Sequence, residues 1–380
     1  MNDSTVNNKY VIRSFVFVMA VMLLQTPVLN IGTISGLLSI AISIAMVIMT
    51  YRAKIKLSVS SGLLILFVVA TVISAFANGS YSISLKIIIQ IVFFLFMSNV
   101  VLDEKDNKDI QLVYCLICTI YAILVIYSCY NDYDFRYLHG DIELFGTQLD
   151  PNYVGIPLCS ATVLSLFNYL RNKRRGMNVV FYILNCIAIV FTASRGNYLS
   201  FIISNVVVLL CFLFDKKTRI RKRIITALII VLAGGAVFYI IYNLFSAQLA
   251  RMSAISVLQD NGRFEIWKTA IRGWIEKPIL GYGLDGMFRN EGYAAHNTFL
   301  EILYDYGIIG LSFFLAFLGT IAVKLRINNV AFSVLLSLIV QLFFLSALDN
   351  RCMWVILCLI VLSINGKREG ENELCETSTL

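Results

Sequence analysis

His296 opens the stretch "HNTFLEILYDYG" and is one of only two histidines among 380 residues. A neutral imidazole is the side chain best suited to take a proton near physiological pH. It stands directly ahead of a predicted helix beginning at Asn297, whose positive end disfavours the imidazolium. The plainer reading is a histidine that caps a helix or sits in a headgroup layer. Glu301 and Asp305 follow four residues apart, on one helix face with Asn297. Either carboxylate could accept a proton or orient His296, or the pair could simply be the wet side of an interfacial helix. Arg195 in "TASRG" and Arg263 in "NGRFEIW" carry planar, permanent charges that grip phosphate through two hydrogen bonds at once. Their plainer readings are a snorkelling helix-end arginine and a solvated loop charge.

The elements that position these groups belong to a bilayer. The chain is 59% hydrophobic and 14% charged, with a mean hydropathy of +0.80, too apolar for a water-exposed domain. Apolar runs of roughly 17 to 25 residues alternate with charged clusters, the pattern of a polytopic helical membrane protein. Spans are expected near 14–29, 32–51, 57–77, 83–102, 110–129, 151–170, 177–193, 197–214, 224–245, 307–323, 330–348 and 353–365. The fold class is therefore an all-α integral membrane protein of about twelve transmembrane helices. Residues 1–245 hold the first nine, 246–306 a large extracytoplasmic loop, 307–365 the last three and 366–380 a polar cytoplasmic tail. With both termini cytoplasmic, 21 of the 31 Lys and Arg fall on inside segments, the densest being "KKTRIRKR" at 216–223. That asymmetry accounts for the net charge of +8 without nucleic acid. Arg195 stands on the outside, against the trend.

Most of the nine cysteines lie inside or at the edge of apolar spans and read as small hydrophobes. Cys115 and Cys118 form a C-x-x-C in a predicted membrane helix with no histidine nearby, so no metal or redox site is expected. The N-terminal apolar run lacks a small-residue cleavage site and reads as a first helix. Outside the spans, 130–150 carries His139, a candidate glycan contact whose plainer reading is a surface residue. In the larger loop, "NGRFEIWKTAIRGWIEKP" places Phe264, Trp267, Ile271 and Trp274 at helical spacing, with Asn261 a candidate cap and Pro278 the stop. This predicts an amphipathic helix on the membrane surface, with an interfacial anchor as its bland role. Asp150 and Pro151 are the N-cap and first position of a helix and need no function for that.

Four stretches carry a resemblance: "DPNYVG" at 150–155, "TASRGNYLSF" at 192–201, "NGRFEIWKTAIRGWIEKPILGYG" at 261–283 and "AHNTFLEILYDYGIIG" at 295–310. They resemble the O-antigen ligase and O-antigen polymerase family, whose members join glycans carried on a polyprenyl diphosphate outside the cytoplasmic membrane. The overall design is similar to that of GT-C-type sugar transferases. The resemblance implies inverting transfer without a metal ion or other cofactor, and the motifs put the important roles on Arg195, Arg263 and His296. Arg272 is a companion for the diphosphate or glycan, and Asn297, Glu301 and Asn152 are further candidate contacts. The expected partners are an undecaprenyl-diphosphate oligosaccharide as donor, a lipid-linked repeat unit or lipid A core as acceptor, and membrane lipids.

The chemistry fits those atoms. A lipid diphosphate is a good leaving group once its growing charge is compensated, and guanidiniums, permanently charged and bidentate toward phosphate, can take the place of Mg²⁺ in doing so. The leading expectation is a bacterial inner-membrane polymerase of O-antigen, capsule or exopolysaccharide repeat units, with the O-antigen ligase as alternative. A flippase of the same glycolipid belongs to another class, and is disfavoured because the span centres are nearly free of charge. A membrane scaffold would leave polymer length indifferent to Arg195 and His296.

Overall fold

The computed structural model describes residues 58–79, 85–131, 142–144, 147–171, 174–215, 219–221, 223–226, 262–325 and 330–365, with single positions between 12 and 20 and between 228 and 243. These residues are almost wholly helical. In chain order they form α1 (Val59–Ala77), α2 (Leu85–Met97), α3 (Glu104–Asn131), the strands β1 (Ile142–Leu144) and β2 (Thr147–Leu149), and α4 (Pro151–Leu170). Next come α5 (Arg175–Phe191), α6 (Arg195–Leu213), α7 (Arg263–Glu276), α8 (Gly286–Glu291), α9 (Thr298–Lys324), α10 (Val330–Leu342) and α11 (Arg351–Asn365). The antiparallel ribbon of β1 and β2, pairing Ile142 with Leu149 and Leu144 with Thr147, is the departure from all-α among the described residues.

Among the described residues, five helices are long and apolar enough to cross a bilayer: Val59–Ala77, Glu104–Tyr130, Pro151–Leu170, Arg195–Leu213 and Thr298–Lys324. Ile87–Met97, Arg175–Phe191, Val330–Leu342 and Arg351–Asn365 are apolar but shorter. The expected spans at 14–29 and 224–245 touch the described residues only at scattered positions, and that at 32–51 lies outside them, as does His139.

The outer surface behaves as one solvated by lipid. Leu66, Val69, Ile73 and Phe76 of α1 are exposed, as are Leu116, Ile120, Ile123 and Tyr127 of α3 and Leu199, Ile202, Val206 and Leu210 of α6. Each set steps by three or four, so each helix shows one apolar stripe outward, where a water-soluble protein would place charge. Polar groups turn inward and bridge helices. The Ser200 hydroxyl meets that of Ser337 at 2.9 Å, and Asn205 Nδ2 donates to Thr162 Oγ1 at 3.3 Å. α4 is the most enclosed of the five long helices. It packs on α3, α5, α6 and α10, while α1 packs along α9 and α2 along α11. Trp354 and Phe94 pack together at 6.1 Å between centroids, and Phe94 meets Phe317 edge-on at 5.3 Å.

Two spans are not continuous helices. Gly307 (φ 65, ψ −168) breaks α9 into an outer piece, Thr298–Tyr306, and a longer inner one. The groups that lose their intrahelical partners bond to 278–283: Ile308 N–H donates to the Pro278 carbonyl at 2.9 Å. In the other direction, Tyr282 and Gly283 N–H donate to the carbonyls of Tyr304 (3.0 Å) and Asp305 (2.7 Å). Side chains of α1 lock the same turn. Ser74 Oγ donates to the Leu280 and Asp305 carbonyls, and Asn78 Nδ2 to the Gly281 carbonyl at 2.9 Å. The second break corrects the span expected over 330–348. α10 stops at Leu342, and Leu345–Ala347 is non-helical because Thr298 captures its backbone, donating to the Leu345 carbonyl at 2.6 Å and accepting from Ala347 N–H at 3.0 Å. Irregular backbone at this depth persists where protein groups satisfy it.

The loop helix also needs one correction. α7 ends at Glu276, just before Pro278, but its N-cap is the left-handed Gly262, and Asn261 lies outside the described residues.

Close approach at the α9 break demands glycine. A Cβ on Gly307 would lie 2.2 Å from the Ile279 carbonyl oxygen, at a positive φ, whereas Gly292, also at positive φ, has open space around it. Gly292→Ala should cost only the left-handed penalty of about 1–2 kcal/mol. Gly307→Ala should lower the thermal midpoint in detergent clearly further; equal midpoints for the two variants would contradict the packing described.

Candidate active site

Local capping builds the floor of the site. Asp150 precedes α4 as its N-cap and its Oδ1 accepts from both the backbone N–H and the Nδ2 of Asn152, each at 2.8 Å. Asn152 Oδ1 in turn accepts from Ser194 Oγ at 2.7 Å. Ser194 is the N-cap of α6, so the first residue of that helix, Arg195, is held beside the start of α4. Asn197 completes the lock. Its Nδ2 donates to the Pro151 carbonyl at 3.0 Å, and its Oδ1 accepts from Gln341 Nε2 at 3.2 Å. Gly155 leaves room for it, since a Cβ there would lie 2.0 Å from Asn197 Cγ. The "DPNYVG" and "TASRGN" stretches are thus a single interlocked structure.

The large loop supplies the roof. Arg263 begins α7 and is half-buried. Trp267, one turn on, donates its Nε1 proton to the Ala295 carbonyl at 3.2 Å, which ties α7 to the residue before His296. His296 takes a left-handed conformation (φ 49), and Asn297 then returns to extended backbone to cap α9. Ala193, two residues before Arg195, is left-handed as well (φ 46). Non-glycine residues in that region need a surrounding structure that enforces them, and here both flank the candidate groups.

Electrostatics show which groups meet. Burial, and next the Arg195 guanidinium, lower the proton affinity of Arg263, while Asp150 opposes them. Burial lowers the pKa of His296 below the usual 6.5; the Arg263 guanidinium adds to this, and Asp150 again works against it. Arg195, Arg263, His296 and Asp150 therefore share one electrostatic neighbourhood assembled from three separate stretches of chain. The imidazole is biased to its neutral form, as expected from the sequence, but burial and a guanidinium are the leading causes.

The other candidates divide. Glu301 lies one turn into α9, and its Oε2 is buried with no hydrogen-bond partner among the described residues. The Ser346 hydroxyl and the Ala295 amide are its nearest polar company, and Asp349 and Asp285 act on it through space. Asn152 and Asn297 serve the scaffold. Asn152 is engaged at both ends of its amide, and Asn297 Oδ1 accepts from the N–H groups of Phe299 (3.0 Å) and Leu300 (3.2 Å). Arg272 is not gathered in. Nine residues beyond Arg263, it projects from the opposite side of α7 and is exposed. Asp305 corrects an expectation too. It is 3% exposed rather than on a wet face, and its Oδ1 accepts from Met287 N–H at 3.0 Å, fastening α8.

Sequence reasoning missed Tyr153 and the non-helical turn after α10. Tyr153 donates its hydroxyl proton to the Ser346 carbonyl at 2.7 Å and holds that turn against Glu301. Tyr153 was visible inside "DPNYVG"; nothing in the apolar run around 345 marked a break. Asp150 was read as a cap alone, yet its charge also reaches both Arg263 and His296. Among the described residues no three His, Cys, Asp or Glu side chains converge as metal ligands. A cavity of about 460 Å³ lined by Lys105, Asn168 and Arg174 lies at the far ends of α4 and α5. Asp150 and Arg195 mark their near ends, so it belongs to a different region.

Against known proteins, residues 180–315 match the family model described as O-Antigen ligase, a stretch running from α5 into α9 that contains Arg195, Arg263 and His296. No curated protein matches the chain. Over these residues, which hold the hairpin arginine and the loop leading into a broken span, the chain is similar to the O-antigen ligase family.

Proposed function

We propose that this protein is a polysaccharide repeat-unit polymerase of the bacterial inner membrane, built like the GT-C transferases, with both termini cytoplasmic and the Arg195–Arg263–His296 cluster outside. The donor is a glycan on undecaprenyl diphosphate, and the acceptor is a lipid-linked repeat unit. The observation that supports this reading is the electrostatic coupling of Arg195 to Arg263 and of Arg263 to a neutral-biased His296. The acceptor hydroxyl oxygen attacks the anomeric carbon from the face opposite the leaving group and inverts it. The bond from that carbon to the diphosphate oxygen breaks, and its electron pair stays with the diphosphate. Arg195 and Arg263 offset the charge that develops there, the part a divalent cation takes in other enzymes. His296 receives the hydroxyl proton. Glu301 is a further candidate glycan contact beside this cluster, and Asn152 and Asn297 hold the frame.

A second reading has a specific observation behind it, since the matching family description is that of a ligase. The donor half would be unchanged and the acceptor would be lipid A core. Purified protein given a synthetic undecaprenyl-diphosphate oligosaccharide distinguishes the two. A polymerase lengthens it unaided, a ligase stays silent until lipid A core is added, and inactivity in both conditions rejects the proposal. Activity should persist in chelator. His296→Ala should slow transfer by about 10²–10⁴-fold. Arg195→Lys should restore little of the loss in Arg195→Ala, because an ammonium cannot replace the two-pronged guanidinium.

Histidine protonation tests the electrostatics apart from turnover. In a His139→Gln background, NMR titration should place the pKa of His296 below 6.5. Arg263→Gln removes a positive neighbour and should raise it. Asp150→Asn keeps a good cap, removes a negative neighbour and should lower it. Identical titrations in all three proteins would separate His296 from that cluster.

A further inference from the structure

The loop helix α7 has two apolar faces, one packed inward and the other largely exposed. Ile266, Ala270 and Gly273 point inward, against Tyr304, Met287 and Ala295; a Cβ on Gly273 would strike the Tyr304 ring at 2.2 Å. On the other side Phe264, Ile271 and Ile275 are 60%, 41% and 64% exposed. At 100° per residue these three fall within about 40° of one another, so they form a single stripe rather than scattered surface residues. Lys268 lies within the stripe's edge and bonds Glu265 at 2.6 Å, and Arg272 flanks it, the arrangement of long basic side chains beside a lipid-facing surface.

The stripe does not end with the helix. Ile279, 60% exposed, continues it past Pro278, and its carbonyl and that of Pro278 accept from Ile309 and Ile308 N–H. This sets the stripe against the start of the inner piece of α9. Ile308 and Leu315 there are 44% and 47% exposed, two turns apart on one face of a helix long and apolar enough to span a bilayer. A half-buried tryptophan stands at the junction, Trp274, whose indole N–H is satisfied by the Pro278 carbonyl at 3.1 Å. An amphipathic tryptophan with its proton engaged suits the boundary between headgroups and acyl chains.

We infer that the Phe264–Ile271–Ile275–Ile279 stripe lies in the headgroup–acyl boundary of the bilayer leaflet on the side of the candidate site, as a continuation of the lipid-facing surface of α9. α7 is then a membrane-seated beam. Its first residue, Arg263, is held at headgroup height, where the diphosphate of a lipid-linked substrate sits; this last consequence rests on the proposed function, and the seating of the helix does not.

Photocrosslinking of the full chain in phosphatidylcholine–phosphatidylglycerol nanodiscs tests the seating without reference to catalysis. A benzophenone amino acid is placed at 264, 271, 275 or 279, with Leu315 as the lipid-facing control and Glu276 as the off-stripe control. Phospholipid adducts are expected at the stripe positions in yields within about threefold of position 315, and far fewer at 276. Adducts at 315 with none at 271 and 275 overturn the inference. So do crosslinks from those positions to residues 246–261 or to a second copy of the chain, which would name a protein occupant. Should the bulky label perturb folding, Ile275→Trp gives an independent reading. Brominated acyl chains should quench its added fluorescence more strongly than that of Glu276→Trp, and equal quenching rejects the seating.

Discussion

The half of the candidate site that carries His296 and Glu301 hangs from the break in α9 at Gly307. Opening a helix inside or near a bilayer frees backbone donors and acceptors that lipid cannot satisfy, each at a cost of several kcal/mol. Here the carbonyls of Tyr304 and Asp305 and the amides of Ile308 and Ile309 are taken up by 278–283. The loop is thereby stitched to the span rather than resting on it. Ser74 and Asn78 add a third element, and Asp305 fastens α8 to the same place. The bend turns Thr298–Tyr306 into a short platform with Asn297 as its cap, and His296 and Glu301 take their positions from that platform.

A second constraint is electrostatic. The Arg195 guanidinium lowers the proton affinity of Arg263, an unfavourable pairing in a protein whose span interiors avoid charge. Asp150 offsets part of that repulsion. Burial and the same field lower the pKa of His296, so the concentrated positive charge and the bias of the imidazole toward its neutral form are two effects of one arrangement. Its frame is hydrogen-bonded through neutral amides and hydroxyls, Asn152, Ser194, Asn197 and Gln341, which add no charge of their own.

Lipid explains the rest of the surface. Exposed stripes on α1, α3 and α6 and buried serine and asparagine contacts between helices invert the water-soluble pattern. The stripe on α7 follows the same rule, although that helix lies in a loop.

Hydropathy and local chemistry by themselves determined much of this protein. The run at 151–170, the cap at Asp150 with Pro151 behind it, the helix over 263–276 stopped before Pro278 and the start of α9 at Asn297 are all legible, because each depends on transfer energies and on partners within four residues. The family motifs likewise picked out Arg195, Arg263 and His296. That these three share a field with Asp150 and that Asp305 is buried under α8 were decided only in three dimensions. So was the unwinding of 345–347, which depends on Thr298. The physical reason is common to all three: a side chain's neighbours across the bundle, and the backbone groups they capture, are set by the packing of helices distant in sequence, and neither periodicity nor composition encodes that packing.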